Sequence, residues 1–165
     1  MFDRRYEAGL VSHFADCAGP WRGSNGFRLM PSDSFAEAPA LAALTLAARA
    51  HFTSLAYTWA HPEDGLQEGL LVFGPDAEVD SLVGLWGDSW HQQPAPMSMT
   101  GAVIEGSTGL ANDYGDGWRW RIVVRVVEGP ALTIRMDNVI PSHHATTEVP
   151  AGPYVVMPMH LRRPA

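Results

Sequence analysis

Asp88 is the carboxylate whose sequence surroundings best suit chemistry. It lies in a run that reads Leu82-Val83-Gly84-Leu85-Trp86-Gly87-Asp88-Ser89-Trp90-His91. Side chains alternate between the two faces of a strand, so Trp86, Asp88 and Trp90 are predicted to share one face. A carboxylate on a tryptophan-rich inner face is costly to bury unpaired. Asp88 is therefore a candidate catalytic acid or base, or a polar anchor for a ligand. The structural alternative is that it caps a loop at the strand end or pairs with an arginine.

A second tryptophan-rich run spans residues 117–125. Period-two alternation places Trp118, Trp120, Ile122 and Val124 on one face, and Arg119, Arg121 and Arg125 on the other. Four inward tryptophans are more bulk than a thin sandwich core needs, so we predict that they line a cavity in a small β-barrel. Indole rings offer flat surfaces and an N–H donor each, which suits an aromatic or polycyclic guest.

Neighbouring strands add polar candidates to this cavity. Tyr57 and Trp59 share a face of a strand over residues 52–59, and Asn138 has the same parity as Met136 on a later strand. Polar groups in an otherwise apolar pocket would fix the orientation of a ligand. The alternative is an internal hydrogen-bond network, with the methionines as core packing. The full set of candidate ligand-binding residues is Tyr57, Trp59, Trp86, Asp88, Trp90, Trp118, Trp120, Met136 and Asn138.

The histidines give weaker signals. His91 alternates to the face opposite Asp88, so a dyad of the two would require a bulge at residues 89–90. His143 and His144 resemble a chelating pair, but adjacent side chains in a strand point apart, and no third ligand stands at the usual spacing. We therefore predict no metal site. The sequence also lacks the nucleophile-elbow, P-loop and dinucleotide-binding motifs.

Size and composition restrict the class of protein. A chain of 165 residues, 46% hydrophobic and 18% charged, is predicted to form one globular domain over residues 1–165. A net charge of −7 disfavours nucleic acid as a partner. One cysteine, Cys17, excludes an internal disulfide, and with the absence of a signal-like start it predicts a cytoplasmic location. No apolar run reaches the ~20 residues that span a membrane. The sequence leaves a monomer or a homodimer open.

Short strands separated by turn residues about every ten positions are typical of a sandwich or barrel. An apolar stripe at helical spacing predicts a short N-terminal helix over residues 1–16. Loops are predicted at residues 31–40 and 141–153, and turns from residue 106 to 117. A turn within residues 19–27 is predicted to open into a first strand. The further predicted strands cover residues 41–47, 52–59, 67–73, 81–91, 97–105, 118–127, 131–139 and 154–161, with a break in pairing at residues 94–96.

Several short motifs resemble those of known barrels. Trp21-Arg22-Gly23 resembles the Trp-x-Gly signature of calycin-type barrels, which include lipocalins, fatty-acid-binding proteins and haem-binding nitrobindins. The middle of the chain is similar to a bacterial family of uncharacterised lipocalin-like domains. That similarity lies in Tyr57-Thr58-Trp59, Gln67-Glu68-Gly69, Trp86-Gly87-Asp88-Ser89-Trp90, Met97-Ser98-Met99-Thr100-Gly101 and Gly117-Trp118-Arg119-Trp120.

The resemblance covers residues 19–139. It implies an all-β, up-and-down antiparallel barrel of about eight to ten strands over residues 19–161, with a ligand cavity at one end. Our leading hypothesis is binding of a small hydrophobic, aromatic molecule without a cofactor. One alternative is an isomerase or cyclase that uses Asp88 as acid or base. Another is nitrobindin-like haem binding, for which His160 is a loose match to the axial ligand, although Ser24-Asn25-Gly26-Phe27 departs from the nitrobindin pattern.

Overall fold

The computed structural model describes residues 14–78, 80–104, 106–127 and 131–164. This part of the chain is all-β, as predicted, and contains ten strands and a single-turn 3₁₀ helix at Ser142–His144. The strands are β1 Gly19–Phe27, β2 Ala36–Ala47, β3 Phe52–His61, β4 Gly65–Pro75, β5 Ser81–Asp88, β6 Gln92–Ile104, β7 Ser107–Gly115, β8 Trp118–Val127, β9 Ala131–Ile140 and β10 Gly152–Arg162.

The ten strands form a closed up-and-down barrel, so this prediction is confirmed. Each strand pairs antiparallel with its sequence neighbours, and β1 pairs with β10 to close the sheet. Arg22 lies opposite Arg162 and Asn25 opposite Met159 at this seam. Gly23 permits the close approach of the two strands, because a Cβ atom there would lie 1.9 Å from the carbonyl oxygen of His160. Among these ten strands, closure leaves no unpaired sheet edge for another chain to add to.

Alternating burial shows which side chains fill the barrel. In β3, Thr53, Leu55, Tyr57 and Trp59 are buried, and the residues between them are more exposed. The predicted faces of the tryptophan strands are also confirmed. Their buried side chains are Leu82, Trp86 and Asp88 in β5 and Trp120, Ile122 and Val124 in β8, and the arginines of β8 lie on the outer face.

Two strand predictions were wrong. β2 begins at Ala36, inside the predicted loop, and Pro39 pairs with Ser24 in the sheet. Residues 107–115, predicted as turns from their Gly, Asn and Asp content, form β7. Here β6 and β8 supply hydrogen-bonding partners on both sides, and this tertiary context overrides the low strand propensity of the residues.

The tryptophan strand β5 is shorter than predicted. It ends at Asp88, and residues 89–91 form a turn into β6. β6 itself begins at Gln92 and includes the proline-rich segment. Trp86 pairs with Met97 and Asp88 pairs with Gln92, so residues 93–96 of β6 have no partner in β5. The predicted break in pairing is therefore present.

The two ends of the barrel differ. We call one end the mouth; it carries residues 28–35, 62–64, 89–91, 116–117 and 141–151 between its strands. At the other end, Phe14 is fully buried against Phe73, with ring centroids 5.6 Å apart, and the Trp21 indole N–H donates to the carbonyl of Cys17. Of the predicted N-terminal helix, residues 14 and 15 are helical, and the rest lies outside the described residues. No helix within the described ranges has the length and apolar character needed to cross a membrane.

Candidate functional site

Asp88 is buried at the mouth end of β5, with both carboxylate oxygens hydrogen-bonded. Oδ1 accepts the backbone N–H groups of Trp90 and His91, each at 2.9 Å. Oδ2 accepts the Tyr57 hydroxyl at 2.8 Å and the Trp59 indole N–H at 3.1 Å. Asp88 therefore caps the 89–91 turn and joins it to β3, as the structural alternative anticipated. Four donors compensate the cost of burying the carboxylate.

Tyr57 extends this network to a second residue of β5. Its hydroxyl donates to Asp88 and accepts the Trp86 indole N–H at 2.8 Å. Burial raises the pKa of Tyr57 well above its ordinary value, and the Asp88 charge raises it further. The hydroxyl thus remains a donor at neutral pH. Tyr57, Trp59, Trp86 and Asp88, selected by strand parity alone, form one connected unit.

His91 was placed on the wrong face by strand alternation. Because the chain turns at residues 89–91, its imidazole points into the barrel and stacks on Trp59, with centroids 4.9 Å apart and planes 17° apart. Burial lowers the pKa of His91 to about 4, with the Asp88 charge opposing the shift. The imidazole is therefore neutral at pH 7. Asp88 accepts a hydrogen bond from the backbone N–H of His91. A catalytic dyad would require a hydrogen bond between the carboxylate and the imidazole, so this contact does not form one.

His91 belongs to a group of rings that fills the barrel below the mouth. We call it the aromatic cluster; its members are Phe27, Trp59, His61, Trp86, Trp90, His91 and Trp120. Trp86 and Trp120 stack with centroids 5.4 Å apart and planes 9° apart. The two tryptophan strands thus converge inside the barrel, as predicted, and much of the interior there is occupied by their own rings.

The aromatic cluster contains buried polar atoms without a partner in the described part of the chain. The Trp120 indole nitrogen and the His91 Nε2 atom lack hydrogen bonds there, and their rings lie 5.0 Å apart. Asn25 Nδ2, from the inner face of β1, is likewise unpartnered among these residues. Unpaired buried polar groups are uncommon in folded proteins, because each costs about 1–3 kcal/mol. Such atoms mark positions where a ligand or a water molecule would be stabilised.

A cavity of about 280 Å³ opens beside the aromatic cluster at the mouth. Asn138 lines it, and on the neighbouring strand it lies directly opposite Trp120. Its side-chain oxygen accepts the Tyr114 hydroxyl at 2.7 Å, and the Tyr154 hydroxyl donates to the carbonyl of Leu29. The lining residues are Leu29, Met30, Tyr114, Trp118, Asn138, Ile140, Val149 and Tyr154. We call this the mouth cavity.

The predicted binding residues divide into three groups. Trp118 and Asn138 line the mouth cavity. Tyr57, Trp59, Trp86, Asp88, Trp90 and Trp120 belong to the aromatic cluster or its hydrogen-bond network. Met136 is fully buried in the core. Sequence reasoning missed Tyr114 and Tyr154, which add the hydroxyl groups of the mouth cavity. Tyr154 lies on a predicted strand, but a bulge between Val155 and Met157 interrupts the alternation of that strand. Alternation along the strand therefore did not predict which face Tyr154 occupies.

A larger groove lies on the outside of the barrel. It measures about 850 Å³ and runs over the outer faces of β1 to β5, between Leu41 and Leu70. Small outward residues, including Ala43, Ala56 and Gly87, leave this space open. Of the predicted site residues, Tyr57 and Asp88 border this groove, although their side chains are buried and hydrogen-bonded to each other on the inner face of the strands.

The remaining histidines lie outside the barrel interior. His160 is exposed on the outer face of β10, opposite Ser24 and Thr133, so it would not reach a haem held inside. His143 and His144 lie in the 3₁₀ helix at the mouth, where both contact Asp116. The third potential ligand that was missing at sequence spacing is thus supplied by the β7–β8 turn.

The fold and this site define a closed ten-stranded antiparallel barrel with an aromatic interior at its mouth. No protein-family model matches the chain, and no curated protein matches it.

Proposed function

We propose that the protein binds a small, planar, largely apolar molecule of one or two fused rings in the mouth cavity. The observation that carries this proposal is that Trp120, whose buried indole N–H has no partner among the described residues, lies directly opposite Asn138, which lines that cavity. A ligand with a carbonyl oxygen or ring nitrogen would accept this N–H, and its rings would pack against Trp118.

The size and chemistry of the cavity support this ligand class. A volume of about 280 Å³ lies near the lower end of the range for small-molecule sites, which disfavours long-chain fatty acids. Its walls combine aromatic rings with a few polar groups on Tyr114, Asn138 and Tyr154. Stacking against indole and phenol rings contributes about 0.5–1.5 kcal/mol per ring pair beyond burial of area.

Asp88 has a supporting role in this proposal. Its oxygens are engaged by four donors, and it lies beneath the rings of the cluster. It holds Trp59 and the 89–91 turn in place, and so sets the position of His91. The proposal therefore assigns ligand binding to the protein, with Asp88 as a positioning residue.

Tryptophan fluorescence titration tests the proposal. The probes are naphthalene and 2-acetylnaphthalene, which share a ring system and differ in one hydrogen-bond acceptor. We expect saturable quenching, with tighter binding of the acetyl compound. Trp120→Phe keeps an aromatic ring but removes the N–H, so it should abolish the preference between the probes. Trp118→Ala should weaken binding of both by about tenfold, in line with the loss of one ring contact.

Leu41→Ser is the matched control, because Leu41 lies in the outer groove and is 57% exposed. It should leave both affinities unchanged. Binding that survives Trp118→Ala but is lost in Leu41→Ser would assign the ligand to the outer groove and overturn the proposal. Absence of saturable quenching with either probe would also contradict it.

A further inference from the structure

The mouth of the barrel carries a second cluster of chemically competent side chains outside the mouth cavity. Asp116, His143 and His144 present one carboxylate and two imidazoles, with ligand atoms that all lie within 4.8 Å of one another. His143 Nε2 is 3.1 Å from Asp116 Oδ1, and His144 Nε2 contacts Asp116 Oδ2. All three side chains are exposed to solvent.

The backbone holds these side chains close together. Asp116 and Gly117 form the tight β7–β8 turn, with φ values of 49° and 78°. His143 and His144 lie in a helical turn that follows Pro141, whose carbonyl accepts the backbone N–H of His144 at 3.0 Å. The two segments pack directly, because a Cβ atom at position 117 would lie 3.1 Å from the Cβ of Pro141 and 3.4 Å from Cε1 of His143.

We propose that Asp116, His143 and His144 bind a divalent first-row transition metal ion, with zinc as the reference ion. Two imidazoles and one carboxylate are ligands that zinc takes at about 2.0–2.2 Å, in sites that leave further positions for water or substrate. Two such ligands in a tetrahedral site lie about 3.4 Å apart. The observed 3.1 Å between oxygen and nitrogen therefore requires little movement.

The electrostatics of the cluster also favour a cation. The Asp116 carboxylate is in hydrogen-bond contact with both imidazoles, so three electron-pair donors face one another in the cluster. The metal would replace these two hydrogen bonds and bind the Nε2 atoms in their unprotonated form. Metal affinity should therefore fall as the pH is lowered and protons compete for the imidazoles.

The three side chains lie beside the mouth cavity. His144 lies against Trp118, with ring centroids 5.5 Å apart, and Trp118 lines the cavity. The metal proposal stands independently of ligand binding in the cavity, since it depends on the three side chains alone.

Isothermal titration of the full chain with zinc chloride, after treatment with a chelator, tests the proposal. We expect one zinc ion per chain and weaker binding at pH 5.5 than at pH 7.5. Asp116→Asn, His143→Gln and His144→Gln should each lower the affinity by about tenfold or more. His160→Gln removes an exposed histidine from the outer face of β10 and should bind zinc as the unmodified chain does.

Thermal unfolding with zinc or with chelator gives a second measurement. Zinc should raise the Tm of the unmodified chain, because an ion that binds the folded state stabilises it by mass action. In Asp116→Asn this shift should disappear, although the variant still folds. The proposal is overturned if zinc does not bind, if the three variants bind zinc as tightly as the unmodified chain, or if His160→Gln removes the binding. Any of these outcomes would leave the cluster as a set of histidine–carboxylate hydrogen bonds that join the loop to the turn.

Discussion

The Tyr57 hydroxyl donates a 2.8 Å hydrogen bond to Oδ2 of Asp88, across one intervening strand and entirely within the barrel. Tyr57 lies on β3 and Asp88 at the end of β5, and β4 passes between them. A glycine at position 69 of β4 makes room for this contact. The phenol ring lies over that residue, so the bond depends on the absence of a side chain there.

Asp88→Asn should destabilise the protein strongly. The amide group would retain one oxygen for the backbone N–H groups of the turn, but its NH₂ group would face the donors of Tyr57 and Trp59. Leaving buried donors unpaired costs about 1–3 kcal/mol each, so we expect a loss of about 2–4 kcal/mol in the free energy of unfolding. Urea denaturation followed by circular dichroism measures it. A loss below about 1 kcal/mol would show that the network contributes little to stability.

Gly69→Ala should disrupt the same network from the neighbouring strand. A Cβ atom at position 69 would lie 2.2 Å from the hydroxyl oxygen and from Cζ of Tyr57, so the ring must move away from Asp88. We expect a loss of about 2–4 kcal/mol, typical of overpacking with a broken buried hydrogen bond. Gly109→Ala is the matched control, because no described residue beyond its chain neighbours comes within 4 Å of the place that a Cβ atom would take. Equal stability of the two variants would contradict this account of the contact.

His91 should make the protein less stable in mild acid. Its pKa is about 4 in the folded state and about 6.5 when unfolded, so between these values the unfolded chain binds a proton that the folded chain excludes. The free energy of unfolding should therefore fall as the pH is lowered from about 6.5 to 4, by roughly 3 kcal/mol from this residue. The measurement is urea denaturation at a series of pH values.

His91→Phe keeps an aromatic ring in the stack but cannot be protonated. The variant should lose this part of the pH dependence, whereas His160→Gln, on the exposed outer face, should retain it. A pH profile for His91→Phe identical to that of the unmodified chain would show that the imidazole is accessible to protons when the protein is folded.

The sequence predicted the parts of this structure that depend on strand periodicity. Trp59, Trp86, Asp88 and Trp120 all point inward because regular strands alternate without interruption. His91 was misplaced because one turn after Asp88 ends the alternation, and the signal for that turn is the carboxylate capping two backbone N–H groups, which is a three-dimensional relationship. The contact of Asp116 with the two histidines was not predicted for the same reason, because about 27 residues separate them in sequence.

Asp137→Asn should lower the free energy of unfolding, because it removes the charge of a buried carboxylate that pairs with two arginines on the outer face of the barrel. The Asp137 side chain is 1% exposed beneath two arginines, and Arg121 Nε donates to its Oδ2 at 2.8 Å. Arg135 Nη2 donates to the same oxygen at 3.1 Å, and Arg135 Nε lies 3.1 Å from Oδ1, which has no hydrogen-bond partner among the described residues. Removing the charge should cost about 2–4 kcal/mol, since charge-assisted bonds to a buried carboxylate are lost.

Asp113→Asn is the matched control for this change. Asp113 also pairs with an arginine on the neighbouring strand, Arg119, at 2.7 Å, but both side chains are more than half exposed. Water screens such a pair, so the stability of Asp113→Asn should match that of the unmodified chain within the error of the measurement. Urea denaturation of both variants in low and high salt makes the comparison. If Asp137→Asn were as mild as Asp113→Asn, the arginines above Asp137 would have to admit water freely, and burial would not distinguish the two ion pairs.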